Sequence, residues 1–217
     1  MNKDISRRSA LKVGLAAGVI ASAKVSHAAS HLAAAQPTPN EIEGPFYPAM
    51  AQKDTDFDLT VIEGQTQSAE GEVILIEGTV VDTKGQAVSD ATVDLWQACA
   101  SGRYNHPHDS NPAPKDPRFQ GWAIVPSGAK GGFRFKTITP GAYPAAPNWM
   151  RPPHIHFKVS KRGYIELVTQ MYFQDHPLNE KDKLLKRKSA DEQALMIAKK
   201  VSADPITFKY TIVLQEA

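Results

Sequence analysis

The amino-acid sequence predicts an all-β domain, a β-sandwich with long functional loops and one short C-terminal helix. Three observations point there. The 217 residues include 16 prolines and 14 glycines, a supply of turn residues suited to many short strands. Runs rich in β-branched residues alternate, in part, between apolar and polar positions. Only one stretch, within Glu180–Val201 and bounded by Pro177 and Pro205, reads as a helix.

Taken in order, Val73–Val81 (VILIEGTVV) is the first strand, closed by the turn chemistry of Asp82-Thr83-Lys84-Gly85-Gln86. Ala91–Gln97 alternates again, and Gly132–Ile138, Ile155–Ser160, Ile165–Phe173 and Ile206–Leu214 complete the set. Between them lie two connections rich in Pro, Gly and Asn, about 103–121 and about 139–153. Loops of that length inside a compact domain usually carry function. No internal repeat is visible.

The N-terminus reads as an address. Ser6-Arg7-Arg8-Ser9-Ala10-Leu11-Lys12 precedes an apolar run, Val13–Ala23, and then Ser26-His27-Ala28. A charged start, a short apolar stretch and a small-x-small cleavage site make a secretory signal. The paired arginines resemble a bacterial twin-arginine signal. The apolar run, about 11 residues, is too short to span a bilayer, which needs roughly 20. The expectation is export to the periplasm with a signal over 1–28, a flexible leader over 29–40, one domain over 41–217, and no membrane attachment after cleavage. Net charge, +2 for the whole chain, becomes −2 without residues 1–28. With no Lys/Arg block of footprint size, a nucleic-acid partner is excluded. A single cysteine, Cys99, excludes an internal disulfide, a four-cysteine zinc site and a CxxC redox motif.

Candidate chemistry sits in the two long loops. In Arg151-Pro152-Pro153-His154-Ile155-His156-Phe157, residues i and i+2 of a strand share a face, so both imidazoles project together as a metal-ligand pair. A cupin would add a glutamate soon after, and Glu166 is a poor match. Two loop tyrosines stand in similar settings, Gly102-Arg103-Tyr104 and Pro140-Gly141-Ala142-Tyr143-Pro144. Phenolate is a hard anionic ligand, and two phenolates with two imidazoles would favour Fe(III) over Fe(II). His106 and His108 read as solvated side chains, His176 as a turn residue, and Cys99 as a small buried apolar group. Trp96 and Trp122 are expected in the core, and Trp149 as a wall of the pocket near Arg151. Lys181–Lys188, with five cations in eight residues, reads as a solvated helix face.

Together with Glu43-Gly44-Pro45-Phe46-Tyr47-Pro48, Asp116-Pro117-Arg118-Phe119-Gln120-Gly121 and Thr169-Gln170-Met171-Tyr172-Phe173, these motifs resemble the intradiol ring-cleavage dioxygenases, nearest in pattern to the protocatechuate-cleaving members. The resemblance implies cleavage of a catechol by O2 to a cis,cis-muconate-type dicarboxylate. It implies one non-haem Fe(III) per chain, held by Tyr104, Tyr143, His154 and His156. Tyr143 would be the axial ligand that leaves on substrate binding, and Arg151 would face the substrate and offset negative charge. Gln170, Tyr47, Phe46 and Trp149 would line the pocket. Ala145 and Ala146 stand where protocatechuate enzymes carry a bulky aromatic, which implies a wider or differently shaped pocket. With the full ligand set in one chain, the protein would act alone, as a homo-oligomer, or in a hetero-oligomer with a second subunit. Two other readings stay open: a transthyretin-like binding module, from Ile76–Leu95, and a zinc hydrolase built on the histidine pair.

Overall fold

A computed structural model describes residues 35–50, 52 and 54–217. The expected signal segment and the first part of the leader lie outside the described residues. The strands are β1 (Val73–Asp82), β2 (Thr92–Trp96), β3 (Trp122–Pro126), β4 (Gly132–Ile138), β5 (Tyr143–Ala146), β6 (Trp149–Arg151), β7 (His154–Ser160) and β8 (Leu167–Phe173). They are followed by α1 (Ala190–Met196), β9 (Ile197–Ala203) and β10 (Ile206–Leu214).

Eight strands run in the order β3-β2-β7-β8-β9-β10-β1-β4, while β5 and β6 form a separate hairpin. The long sheet folds into two leaves, β3-β2-β7-β8 and β9-β10-β1-β4. They join where β8 and β9 pair at only two positions, Tyr172 with Ile197 and Phe173 with Ala198. Alternation places Val93, Leu95, Ile155, Phe157 and Met171 of the first leaf on one buried face. Ile74, Ile76, Phe133, Phe135 and Ile212 of the second leaf meet them there, and the two inner faces form one core. Phe157 sits at its centre, with ring centroids 5.9 Å from Phe133 and 5.6 Å from Tyr210. On the open side, residues 55–59 lace the leaves together. The Ile124 amide donates to the Thr55 carbonyl, the Lys136 amide to the Phe57 carbonyl, and the Leu59 amide to the Lys136 carbonyl.

The predicted sheet-dominated fold is present, and its departures are local. The helix reading of Glu180–Val201 shrinks to the seven residues of α1, started by a capping box between Ser189 and Glu192. Residues ahead of it form two 3-10 turns, Asn179–Lys181 and Leu185–Arg187. Residues after it are β9, because pairing with both β8 and β10 outweighs the helix propensity of Ile-Ala-Lys-Lys. The strand β3 and the hairpin β5–β6 carry no strong alternation and were not expected from the sequence. The hairpin turns at Asn148, whose φ is 58°. The end of the expected flexible leader is docked. The Thr38 amide donates to the Val213 carbonyl, the Val213 amide donates to Thr38 Oγ1, and Thr169 Oγ1 donates to the Pro39 carbonyl.

Candidate metal centre and substrate cavity

The site lies on the outer face of the first leaf, opposite the sandwich core. Along β7, Ile155 and Phe157 point into the core, so His154 and His156 point outward, and all four are buried. Register across the leaf sets Trp96 and Gln170 on either side of His156, and Tyr172 beside His154. The Trp96 and His156 rings stack 4.8 Å apart at 12°. Trp96 is buried as expected of a core residue, but it packs, with the partly buried Trp122, in this outer cluster beside Tyr104, Tyr143, Phe46 and Tyr47. A leaf covered on both faces hides the difference from sequence periodicity.

Two loops bring the tyrosines over the histidines, and two glycines set how close the loops come. A Cβ on Gly141 would fall on the Gly102 nitrogen and the Ala100 carbonyl oxygen, and one on Gly102 would fall on the Ala142 carbonyl oxygen. Both glycine amides donate to the Cys99 carbonyl, at 2.9 Å from Gly102 and 3.0 Å from Gly141. Each tyrosine follows its glycine by two residues. Asp109 then fixes the first loop by accepting the Tyr104 amide at 2.7 Å and the Asn111 amide at 2.8 Å.

The result is a convergence of hard and borderline donors. Tyr104 Oη lies 3.0 Å from His156 Nε2 and 3.5 Å from His154 Nε2. The Tyr143 ring closes the group, 5.7 Å from the Tyr104 ring and 5.5 Å from that of His154. His154 Nδ1 is 2.8 Å from the Pro152 carbonyl, an acceptor only, so Nδ1 carries the proton and Nε2 the lone pair. Burial, reinforced by the Arg151 charge, holds both imidazoles neutral, with His154 well below the usual histidine range and His156 at about 3. Burial pushes the Tyr104 phenol well up, and pushes Tyr143 up against the opposing pull of Arg151.

Arg151 is nearly enclosed. Its Nε donates to Asp182 Oδ2 at 2.6 Å, and its Nη2 donates to Gln170 Oε1 at 2.7 Å and Tyr172 Oη at 2.8 Å. The indole of Trp149 lies against the guanidinium, 5.7 Å from its centroid. Above this floor opens a cavity of about 410 Å³, within the roughly 300–1,000 Å³ common for small-molecule sites. Arg151, Tyr143, His156 and Gln170 line it with Asp109, Ser110 and Asn111 of the first loop, and Phe46 and Trp149 supply aromatic walls.

Of the four residues expected from sequence to line the pocket, Phe46, Trp149 and Gln170 do so and Tyr47 does not. Its hydroxyl donates to Asp94 Oδ2 at 2.7 Å, while Trp122 Nε1 donates to Asp94 Oδ1 at 2.7 Å. Burial and that neighbouring carboxylate push the Tyr47 phenol up. Lys158 lies 4.1 Å from the Tyr47 ring centroid and pairs with Glu43, so Tyr47 pins the 43–48 segment to the sheet. Tyr104 and His154 sit below the cavity wall. His106 is buried against Phe46 rather than solvated, and His108 is exposed. Asp182, Asp94 and Asp109 were not found from sequence, and Asp182 is masked there by the five cations around it. Among the described residues no cluster of three His, Cys, Asp or Glu could hold a metal, so the zinc-hydrolase reading lacks its carboxylate.

A model of the family described as "Dioxygenase" matches residues 42–216. The chain belongs to the intradiol ring-cleavage dioxygenase family. Among its curated relatives, the protocatechuate 3,4-dioxygenase beta chain of Burkholderia cepacia is 43% identical over 137 residues, covering 62% of this chain and 58% of that protein. An intradiol ring-cleavage dioxygenase of Aspergillus niger is 30% identical over 158 residues, covering 67% of this chain and 45% of the relative. The chain therefore spans about half the length of these relatives. The dioxygenase domain of a dioxygenase–carbohydrate-binding fusion from Streptomyces sp. SirexAA-E superposes with a TM-score of 0.63 at 28% identity, over 84% of this chain and all of that one.

The donor set fits the ferric ion expected of such an intradiol enzyme. Two neutral imidazoles turn Nε2 toward Tyr104 Oη, and the two phenols, Tyr104 and Tyr143, are buried beside the Arg151 charge. A trivalent ion would draw both phenols to phenolate and use the imidazole lone pairs.

Proposed function

We propose that this chain is an Fe(III)-dependent intradiol dioxygenase that cleaves a catechol ring with O2 to a cis,cis-muconate-type dicarboxylate. One observation carries the reading: the Nε2 atoms of His154 and His156 each lie within 3.5 Å of Tyr104 Oη, beside Tyr143 and next to a cavity walled by Arg151. Tyr104, Tyr143, His154 and His156 would hold the ion. The ferric ion would supply Lewis acidity, giving the catechol ring nucleophilic character toward O2.

The protein's own groups do the rest. Burial raises the Tyr143 phenol, so its phenolate would be basic enough to take a catechol proton. Three of the Arg151 N–H bonds are committed to Asp182, Gln170 and Tyr172, which leaves the Nη1 group for the cavity that Arg151 lines beside Tyr143. There it offsets negative charge developing on the ring in a water-poor setting, where such contacts are strongest. Ile42, Pro45, Phe46 and Leu184 keep the cavity apolar and limit water. Ala145 lines the same cavity without filling it, which supports substituted catechols beside protocatechuate as substrates.

The test is a visible spectrum of the iron-loaded protein before and after anaerobic addition of catechol. A broad tyrosinate charge-transfer band that moves to longer wavelength supports the reading. A protein that stays colourless after iron reconstitution overturns it. Residues 1–28 support export to the periplasm. Replacing both Arg7 and Arg8 with Lys should then retain the precursor in the cell, and unimpaired export would refute that route.

A further inference from the structure

We propose that Asp182 is a positioning residue for Arg151, fixing the direction in which the guanidinium meets the substrate. The inference rests on the role of Arg151 proposed above. Asp182 is completely buried and lies between the two 3-10 turns, in the cation-rich 181–188 segment. Both carboxylate oxygens are committed. Oδ1 accepts the backbone amides of Leu184 at 2.6 Å and Leu185 at 3.0 Å, and Oδ2 accepts Arg151 Nε at 2.6 Å. The amide pair locks the carboxylate, and the carboxylate in turn locks the arginine.

A guanidinium is planar, so bonding two of its three nitrogens leaves the third no freedom to turn. Gln170 and Tyr172 hold Nη2, and Asp182 holds Nε. Without Asp182 the plane swivels about its Nη2 contacts, and Nη1 no longer has a set direction. Asp182 also balances the buried charge of Arg151, which burial would otherwise oppose. Leu184, capped by the same carboxylate, lines the cavity. The side chain thus ties this wall and the arginine into one unit.

An asparagine side chain cannot replace it. With one acceptor oxygen it must turn its amino group toward either Arg151 Nε or the Leu184 and Leu185 amides, all of which are donors. Asp182→Asn should lower kcat roughly 10- to 100-fold, the usual effect of a misplaced catalytic group. The catechol KM should stay within about threefold, as for an interaction made in the transition state. Iron content and the resting charge-transfer band should match wild type. Asp182→Glu, which keeps the charge but shifts the oxygens, should fall in the same direction if the asparagine variant does not fold. Lys186→Ala, on the same segment and solvent-exposed, is the control and should match wild type.

Two readouts separate positioning from plain structural damage. In an Arg151→Lys background, which lacks the fork, Asp182→Asn should cost less than about threefold more, since coupled residues are non-additive. In the metal-free full chain, an arginine Nε–H resonance absent from Arg151→Lys should exchange slowly in wild type and rapidly in Asp182→Asn. An equal loss of kcat in both backgrounds, or a persistently protected Nε–H, overturns the proposal. If wild type cleaves no catechol at all, the functional reading fails, while the exchange measurement still decides whether Asp182 holds Arg151.

Discussion

The inner and outer faces of strand β7 are built from alternate residues of one short segment, yet they do opposite work. Ile155 and Phe157 face the sandwich core among Leu95, Phe133, Phe135 and Met171, with Thr169 the polar residue opposite Phe157. His154 and His156 face a second buried layer made of tyrosines, Trp96 and Gln170. The inner face gains stability from burial. The outer face buries polar nitrogens, and His156 Nδ1 has no hydrogen-bond partner at all. A buried polar atom without a partner costs stability, and the outer face also turns the Nε2 atoms of both histidines toward Tyr104 Oη rather than toward apolar neighbours.

The largest effect should come from the inner face. Phe157→Ala removes a ring at the centre of the core and should cost about 3–5 kcal/mol in urea unfolding, as for other buried aromatics. Iron bound per folded molecule should be unchanged. A loss below about 1 kcal/mol would mean that the core does not depend on this contact.

A smaller effect should appear with acid. Both imidazoles have folded-state values below the ordinary histidine value of 6.5, His156 at about 3. Between those limits the unfolded chain binds protons that the folded chain refuses, so stability falls as pH falls below 6.5. The slope should approach about 1.4 kcal/mol per pH unit for each histidine in the metal-free protein. Thermal melts from pH 7.5 to 4.5 measure it, and a flat profile would show that the histidines are charged in the fold.

The smallest change in stability should come from the outer face itself. His156→Leu should abolish iron binding and lower the acid slope by about 1.4 kcal/mol per pH unit, yet alter metal-free stability at pH 7.5 by less than about 1 kcal/mol. Retained iron would remove His156 from the ligand set. A loss as large as that of Phe157→Ala would erase the distinction between the faces.

The histidine pair was legible because residues two apart on a strand share a face, whereas the two loop tyrosines were tied to it only by their similar settings and the family resemblance. The layer that Trp96 and Trp122 join was not legible, since a tryptophan beside a strand looks the same whether it faces a core or a site. Asp182 was hidden for a different reason. Its partner Arg151 is 31 residues away in the chain, and its immediate neighbours advertise a solvated surface. Strand β9 failed because its pairing partners, not its own residues, decide its conformation. Tyr47 was placed in the right segment but on the wrong side of it, a matter of one peptide, since Phe46 lines the cavity and Tyr47 points to Asp94.

The lacing of residues 55–59 across β3 and β4 bears on how copies of this protein can meet. A sheet whose outermost strands offer free amides and carbonyls recruits strangers, because any extended chain completes the ladder. Here the Ile124 and Lys136 amides are already taken by the chain's own Thr55 and Phe57 carbonyls. At those points the molecule has supplied its own neighbour. Association there has to proceed through side-chain shape and charge, which discriminate between partners, rather than through backbone, which does not.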